Sequence, residues 1–144
     1  MRVILSIIFF LSLNFSFSQS LPNKLKSFNS FKAGEKLEYK LQYGFLNASY
    51  ASLTLKEDLV NNKKVLRATS IGRTTGLARL FFKVDDTYET FFSFDKVQPL
   101  KSIRDIYEGG YVRNAETLYD YKSNTALFHD KIKNIKKEFK IHPE

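Results

Sequence analysis

Most of the chain after residue 34 alternates between apolar and polar side chains, as the strands of a half-buried sheet do. The clearest run is EKLEYKLQY, residues 35–43, where leucine and tyrosine occupy every second position. Further runs of this kind cover residues 46–55, 64–72, 87–94, 100–107, 111–121, 125–131 and 136–141. Short turn-forming segments such as Asn61-Asn62 and Gly109-Gly110 separate them. We therefore predict a mainly β fold, a curved antiparallel meander sheet or open half-barrel.

One segment, RTTGLARLFFKVDDTYE over residues 73–89, breaks this alternation. Its apolar residues recur at the spacing of one helical face: Leu77, Leu80, Phe81 and Val84. We predict a short helix or plug, capped by Thr74 or Thr75, whose apolar side docks onto the sheet and acts as a lid. The acids Asp85 and Asp86 are expected to mark its exit into the next strand.

The beginning of the chain has the pattern of a secretory signal peptide. Arg2 precedes an apolar run over residues 3–13, and Ser16 and Ser18 flank Phe17. The run is shorter than the about 20 residues of a membrane-spanning helix. We predict a signal peptide over residues 1–18, cleaved near Ser18, and an exported, periplasmic protein that is soluble after cleavage, with no transmembrane helix. Residues 19–34 are then a polar lead-in segment, and residues 35–144 form one antiparallel β domain.

Composition excludes several classes of function. The chain contains no cysteine, so thiol chemistry, disulfides and a lipid-attached cysteine are excluded. The formal net charge is +8, but the basic residues are spread thinly, so we expect no nucleic-acid partner. Weak attraction to acidic envelope lipids or glycans is an alternative to a surface that is merely kept soluble by its charge.

Aromatic residues suggest a binding surface. Tyrosine combines apolar area with a polar tip, which suits an amphipathic ligand. The candidate ligand-binding residues on the strands and the central segment are Tyr39, Tyr43, Tyr50, Leu77, Leu80, Phe81, Tyr88, Tyr107 and Tyr111. Packing of these side chains inside the sheet is the alternative.

A group of charged residues is a second candidate site. Its members are Arg73, Asp85, Asp86, Glu89, Asp105 and Glu108. If the carboxylates meet across the sheet, they could bind a hard cation or hydrolyse envelope glycans as an acid and base pair. Otherwise they form ion pairs with arginines at the surface. The two histidines, His129 and His142, show no ligand spacing. We predict no catalytic residue, no metal site and no cofactor.

Three ordered blocks carry a resemblance to a known family: residues 31–53, FKAGEKLEYKLQYGFLNASYASL, the central RTTGLARLFFKVDDTYET, and residues 103–117, IRDIYEGGYVRNAET. They resemble the exported bacterial domain-of-unknown-function family number 3108. The resemblance implies an envelope protein rich in antiparallel strands, without an established activity. Family members usually continue beyond the position of Glu144, so we expect that the C-terminal part is lacking and that the last strand has an unpaired edge.

Three functional hypotheses follow. The first is a non-enzymatic exported cell-envelope protein that binds a lipid or another amphipathic ligand on a concave aromatic sheet face. The second is the glycan hydrolase that uses the carboxylate cluster. The third is an interaction module that pairs its exposed C-terminal sheet edge with a partner chain.

Overall fold

A computed structural model describes residues 31–142, except for the side chain of Tyr43. The predicted signal peptide, residues 19–30 of the lead-in segment and the last two residues lie outside the described part. Eight strands form one antiparallel sheet in the order of the sequence. The elements are β1 (Lys36–Tyr43), β2 (Leu46–Val60), β3 (Lys63–Thr74), α1 (Gly76–Phe81), β4 (Val84–Phe92), β5 (Pro99–Glu108), β6 (Tyr111–Asp120), β7 (Thr125–Asp130) and β8 (Ile135–Lys140).

The predicted meander is therefore confirmed, and the sheet is open rather than closed into a barrel. Within residues 31–142, β1 and β8 each pair with one neighbour only. The Asn61-Asn62 turn has φ of 50° and 61°, the left-handed conformation that a type I′ hairpin requires. Asparagine tolerates this conformation, which explains how the turn forms without the usual glycine.

The strand register divides the side chains between two faces. One row runs across all eight strands on the face that we call the pocket face: Leu37, Leu53, Ser70, Tyr88, Arg104, Ala115, Asp130 and Ile135. On the opposite face the neighbouring row is Glu38, Ser52, Ile71, Thr87, Asp105 and Asn114. Because side chains alternate along a strand, these rows assign every strand residue to a face.

The hydrophobic core is on the pocket face of the long central strands. Leu55, Leu66 and Phe92 are buried together there, from β2, β3 and β4. Partly buried Phe31, Ala68 and Val97 pack around them. The opposite face buries Val65 and Phe91.

The predicted helix forms, but the prediction that its apolar side docks onto the sheet is wrong. No residue of α1 is buried, and Leu80 and Phe81 are 80% and 88% exposed. Thr75 occupies the N-cap position, but its hydroxyl donates to the carbonyl of Asn47 at 3.3 Å and does not cap the helix. Asp85 and Asp86 are the second and third residues of β4, so they do not separate helix from strand.

Polar contacts hold α1 in place instead of apolar ones. The guanidinium of Arg79 donates to both carboxylate oxygens of Asp85, at 2.8 and 2.6 Å, and to the carbonyls of Thr74 and Val84 at 3.3 Å. The hydroxyl of Thr74 donates to the carbonyl of Phe82 and accepts from the amide of Val84. These bonds join the end of β3 to the start of β4, which leaves the leucines and Phe81 of α1 directed to solvent.

Candidate apolar binding site

An apolar cavity lies at the β1–β4 end of the pocket face and has a volume of about 370 Å³. Sites for small molecules usually have volumes of roughly 300–1,000 Å³ and mostly apolar walls. Glu35 is the single charged residue among the lining side chains, which are Phe31, Glu35, Leu37, Leu53, Leu55, Ala68, Phe92 and Val97. This cavity can therefore take an apolar group, with one carboxylate at its wall.

The end of the lead-in segment forms one wall of the cavity. The amide of Gly34 donates to the carbonyl of Leu55 at 2.8 Å, and the amide of Leu55 donates to the carbonyl of Glu35 at 3.0 Å. Gly34 has φ of 95°, a conformation that glycine adopts without a Cβ penalty. This turn brings Phe31 over Phe92, with ring centroids 5.9 Å apart in an edge-to-face arrangement.

The β4–β5 connection supplies the other wall through a strained residue. Val97 has φ of 54°, and β-branched residues rarely adopt this left-handed conformation. Hydrogen bonds hold it there: its amide donates to the carbonyl of Ser93, and the amide of Ser93 donates to the carbonyl of Gln98. Strain of this kind concentrates at ligand sites, so the position of Val97 supports a binding role for the cavity.

The predicted ligand-binding residues do not come together at this cavity. Tyr39, Tyr88 and Tyr111 lie on the pocket face, outside the lining set. Tyr50 and Tyr107 lie on the opposite face, where the hydroxyl of Tyr50 donates to Glu38 and the ring of Tyr107 contacts Lys83. The helix residues Leu77, Leu80 and Phe81 project from one end of the sheet. The side chain of Tyr43 lies outside the described part.

The predicted charged cluster is also divided between the two faces. Asp86 and Glu108 lie on the pocket face, and the carboxylate of Asp86 accepts from the amide of Tyr107 at 3.1 Å. The other four members lie on the opposite face: Arg73, Asp85, Glu89 and Asp105. Of these, Asp85 binds Arg79, and Glu89 accepts from Thr69 at 3.2 Å and lies 3.8 Å from Arg67.

The electrostatics of the two carboxylate groups differ. Hydrogen bonds from Arg79 hold the pKa of Asp85 below its ordinary value. The pKa of Glu108 is raised, because its carboxyl hydrogen-bonds to Asp86 and faces that group's negative charge. Burial raises the pKa of the nearby Tyr88, and the charges of Asp86 and Glu108 add to that effect. Asp86 and Glu108 thus form a like-charge pair, while Asp85 belongs to an ion pair.

A second cavity of about 380 Å³ lies on the same face between β6, β7 and β8. Its walls combine rings with several charges: Arg113, Phe128, Asp130, Lys133, Ile135, Lys137 and Phe139. The buried Asp130 accepts from the amides of Ile132 and Lys133, at 3.1 and 3.0 Å, so this carboxylate stabilises the β7–β8 turn. The polar walls make this cavity a poorer place for an apolar group than the first.

The cavity residues were missed from the sequence for a clear reason. Leu37, Leu53, Leu55 and Phe92 belong to ordinary alternating strands, and nothing in their pattern separates a cavity wall from a filled core. The Ala33-Gly34 turn before β1 was the one available signal, since a turn there can fold the preceding phenylalanine back onto the sheet.

Within residues 31–142, no group of three acidic or histidine side chains is placed to hold a metal ion. The same residues include no helix that is long and apolar enough to cross a membrane.

Comparison with known proteins identifies one family. Residues 38–144 match the family described as "Protein of unknown function (DUF3108)". No curated protein and no solved structure matches the chain.

Proposed function

Since the chain belongs to this family of proteins of unknown function, we propose from the cavity itself that the protein binds an acyl chain or an apolar group of similar size. The observation that carries the proposal is the cavity of about 370 Å³ with seven apolar residues among its eight wall residues. Its rim leucines, Leu37 and Leu53, are exposed although each lies on the same face as the core. A ligand that covers them gains the free energy of removing apolar surface from water.

We propose in addition that this binding takes place in the cell envelope, outside the cytoplasm, and involves no catalysis. The signal-peptide pattern of residues 1–18 supports export. The division of the carboxylates between two faces favours the interpretation that they are structural. Cell fractionation with mass measurement of the mature chain tests export: we expect a periplasmic product that begins at Gln19, and an unprocessed cytoplasmic chain would contradict it.

Titration with a dansylated fatty acid tests the binding site. We expect Leu37→Ser and Leu53→Ser each to weaken binding by about three- to tenfold, because each removes part of the apolar rim. The matched control is Leu41→Ser, which changes another exposed leucine on the same face of β1, outside the cavity. The control should bind as the unmodified chain does.

A substitution that fills the cavity is a second test of the same binding site. Ala68→Leu extends a larger side chain into the cavity, so it should abolish binding while the melting temperature changes little. Ala51→Leu, on the same face of the neighbouring strand, is its control. If Ala68→Leu binds the fatty acid normally, or if Leu41→Ser and Leu37→Ser lose affinity equally, the cavity is not the binding site.

The edge-pairing hypothesis stays a second prediction with its own observation. All six residues of β8 are exposed, and its outer edge has no partner strand within residues 31–142. Light scattering over a range of concentrations should detect association if this edge pairs with another chain. A monomer at all concentrations would argue against self-pairing.

A further inference from the structure

The two ends of the sheet present different surfaces. In an antiparallel meander the connections alternate between ends, so β1–β2, β3–β4, β5–β6 and β7–β8 are joined at the same end. The most exposed large apolar side chains are at that end, where Phe45, Leu80 and Phe81 are 94%, 80% and 88% exposed. Leu77 is half exposed beside them. We call the four residues Phe45, Leu77, Leu80 and Phe81 the apolar end.

The apolar end is built as one surface. Thr75 ties the start of α1 to β2: its amide donates to the carbonyl of Ala48 and its hydroxyl to that of Asn47, two residues from Phe45. Arg79 fixes the other side of α1 through Asp85. The helix is therefore held by its polar atoms while its large apolar side chains face outward. An exposed apolar group of this kind marks a contact surface.

Cations lie beside the apolar end on the side of the opposite face. Lys83 is two residues past the end of α1 and lies over the ring of Tyr107, 4.7 Å from its centroid. Arg73 is exposed at the end of β3. The β7–β8 turn adds Lys133, while its other lysine, Lys131, pairs with Glu116 at 3.1 Å. This turn is set back along the edge of β6, because the amide of Lys131 donates to the carbonyl of Asn114. Asp85 is shared between Arg79 and Lys83, whose Nζ lies 3.6 Å from it, so these three side chains carry a net positive charge. The acids Asp86 and Glu108 lie at this end on the pocket face.

We propose that the apolar end docks on an anionic lipid bilayer, with Phe45, Leu80 and Phe81 inserted among the headgroups and Lys83 and Arg73 against the lipid phosphates. Exposed aromatic and leucine side chains beside lysine and arginine are the chemistry of interfacial membrane binding. The net charge of +8 adds a long-range attraction to such a surface. This docking goes beyond ligand binding in the cavity and does not depend on it, since none of these residues lines the cavity.

The chain contains no tryptophan, so one introduced tryptophan reports on its own position. Phe81→Trp should shift its emission to shorter wavelength and be quenched by brominated lipids when vesicles of phosphatidylcholine and phosphatidylglycerol are added. Leu59→Trp is the matched control, because Leu59 is 62% exposed on β2 at the opposite end. Its emission should stay that of a water-exposed ring, although both variants carry the same N-terminal apolar segment.

Vesicle sedimentation measures the strength of docking. Leu80→Ser combined with Phe81→Ser should lower partitioning at least about tenfold, because it removes two apolar groups from the contact. Leu59→Ser should leave it unchanged. Vesicles of phosphatidylcholine alone, or high salt, should weaken binding of the unmodified chain.

Several outcomes would overturn the proposal. Equal shifts for both tryptophans, or no shift for Phe81→Trp, would show that the apolar end is not the part that enters the bilayer. A shift of the Phe81→Trp emission that needs no vesicles and follows protein concentration would show that a second copy covers this surface. A normal result for Leu37→Ser in fatty-acid binding would leave docking untouched, so the two proposals fail separately.

Discussion

Phe91 and Phe92 are neighbours in β4, and each is 8% exposed. They lie on opposite faces of the sheet, and different kinds of side chain cover them. Leu55, Leu66 and the edge of Phe31 surround Phe92. Phe91 lies instead between two cations, Arg67 and Lys101, whose charged groups are 5.9 and 5.7 Å from its ring centroid. Long charged side chains can cover an aromatic ring with their alkyl stems and keep their charges in water.

The cations over Phe91 belong to ion pairs. Arg67 lies 3.2 Å from Asp58, and Lys101 lies 2.9 Å from Glu116, which also pairs with Lys131. The opposite face is thus covered by its own charged side chains, whereas the pocket face leaves an apolar cavity beside Phe92. Equal burial therefore does not mean equal surroundings: an apolar ligand would gain more free energy on the open apolar side than on the charged side.

The largest expected effect is that of Phe92→Ala. Removing this ring leaves a void among apolar neighbours that cannot close, so we expect a loss of about 3–5 kcal/mol in the free energy of unfolding. Urea denaturation measures it. The control Phe94→Ala changes a half-exposed phenylalanine just beyond β4 and should cost less than about 1 kcal/mol. Equal losses would contradict the position of the core.

Phe91→Ala should cost less than Phe92→Ala, about 2–3 kcal/mol, because flexible charged side chains and water can fill the space that the ring leaves. The same denaturation experiment compares the two variants directly. If Phe91→Ala proves as costly as Phe92→Ala, the charged cover packs as tightly as an apolar core, and the distinction between the faces fails.

A smaller loss, about 0.5–1 kcal/mol, is expected for Arg67→Met, which keeps an unbranched stem over Phe91 and removes the ion pairs. Arg67 is one third exposed, so solvent screens these pairs. The loss should shrink further in high salt. A loss that does not depend on salt would contradict the assignment of this contribution to the ion pairs of Arg67.

The smallest expected effects are changes in melting temperature when a carboxylate is neutralised, and they should have opposite signs for Glu108 on the pocket face and Glu116 on the opposite face. The folded pKa of Glu108 is raised above its unfolded value, so its stabilising contribution is full below the unfolded pKa and is lost as the pH rises through the folded pKa. At neutral pH, Glu108→Gln should therefore raise the melting temperature slightly. The gain should vanish at acidic pH, where the unmodified side chain is already protonated.

Glu116 provides the reverse case on the opposite face. Hydrogen bonds from Lys101, aided by Lys131, lower its pKa, so its stabilisation is present above the unfolded pKa and is lost as the pH falls through the folded pKa. Glu116→Gln should lower the melting temperature at neutral pH and have no effect in acid. Melting curves with the same sign for both variants at neutral pH would contradict the assigned carboxylate environments.

Local pattern was sufficient for the eight strands and the short helix. Alternation along 35–43 and the later runs predicted every strand, and β2 alone extends five residues beyond its predicted end. The Asn61-Asn62 hairpin turn was also predicted, and it forms because asparagine accepts positive φ. These features depend on neighbours in sequence, and the amino-acid types settle them.

The site depended on distant pairing that no local pattern contains. Asp85 and Asp86 were grouped as one cluster, but β4 begins at Val84, and alternation then sends their side chains to opposite faces. The helix was expected to pack on the sheet through its apolar side chains. Instead, the hydrogen bonds from Arg79 to Asp85 hold it in place, and Leu80 and Phe81 stay exposed.

By itself, the sequence determined the antiparallel meander, the position of the helix and the positions of the turns between strands. The reason is that hydrophobic periodicity and turn chemistry act within a few residues. Only the tertiary structure decided which face holds the cavity, through the return of Phe31 onto Phe92 and the strained Val97 in the β4–β5 connection. The physical reason is that burial is a property of surfaces brought together from distant parts of the chain, and a run of alternating residues supplies two such surfaces without saying which one is covered.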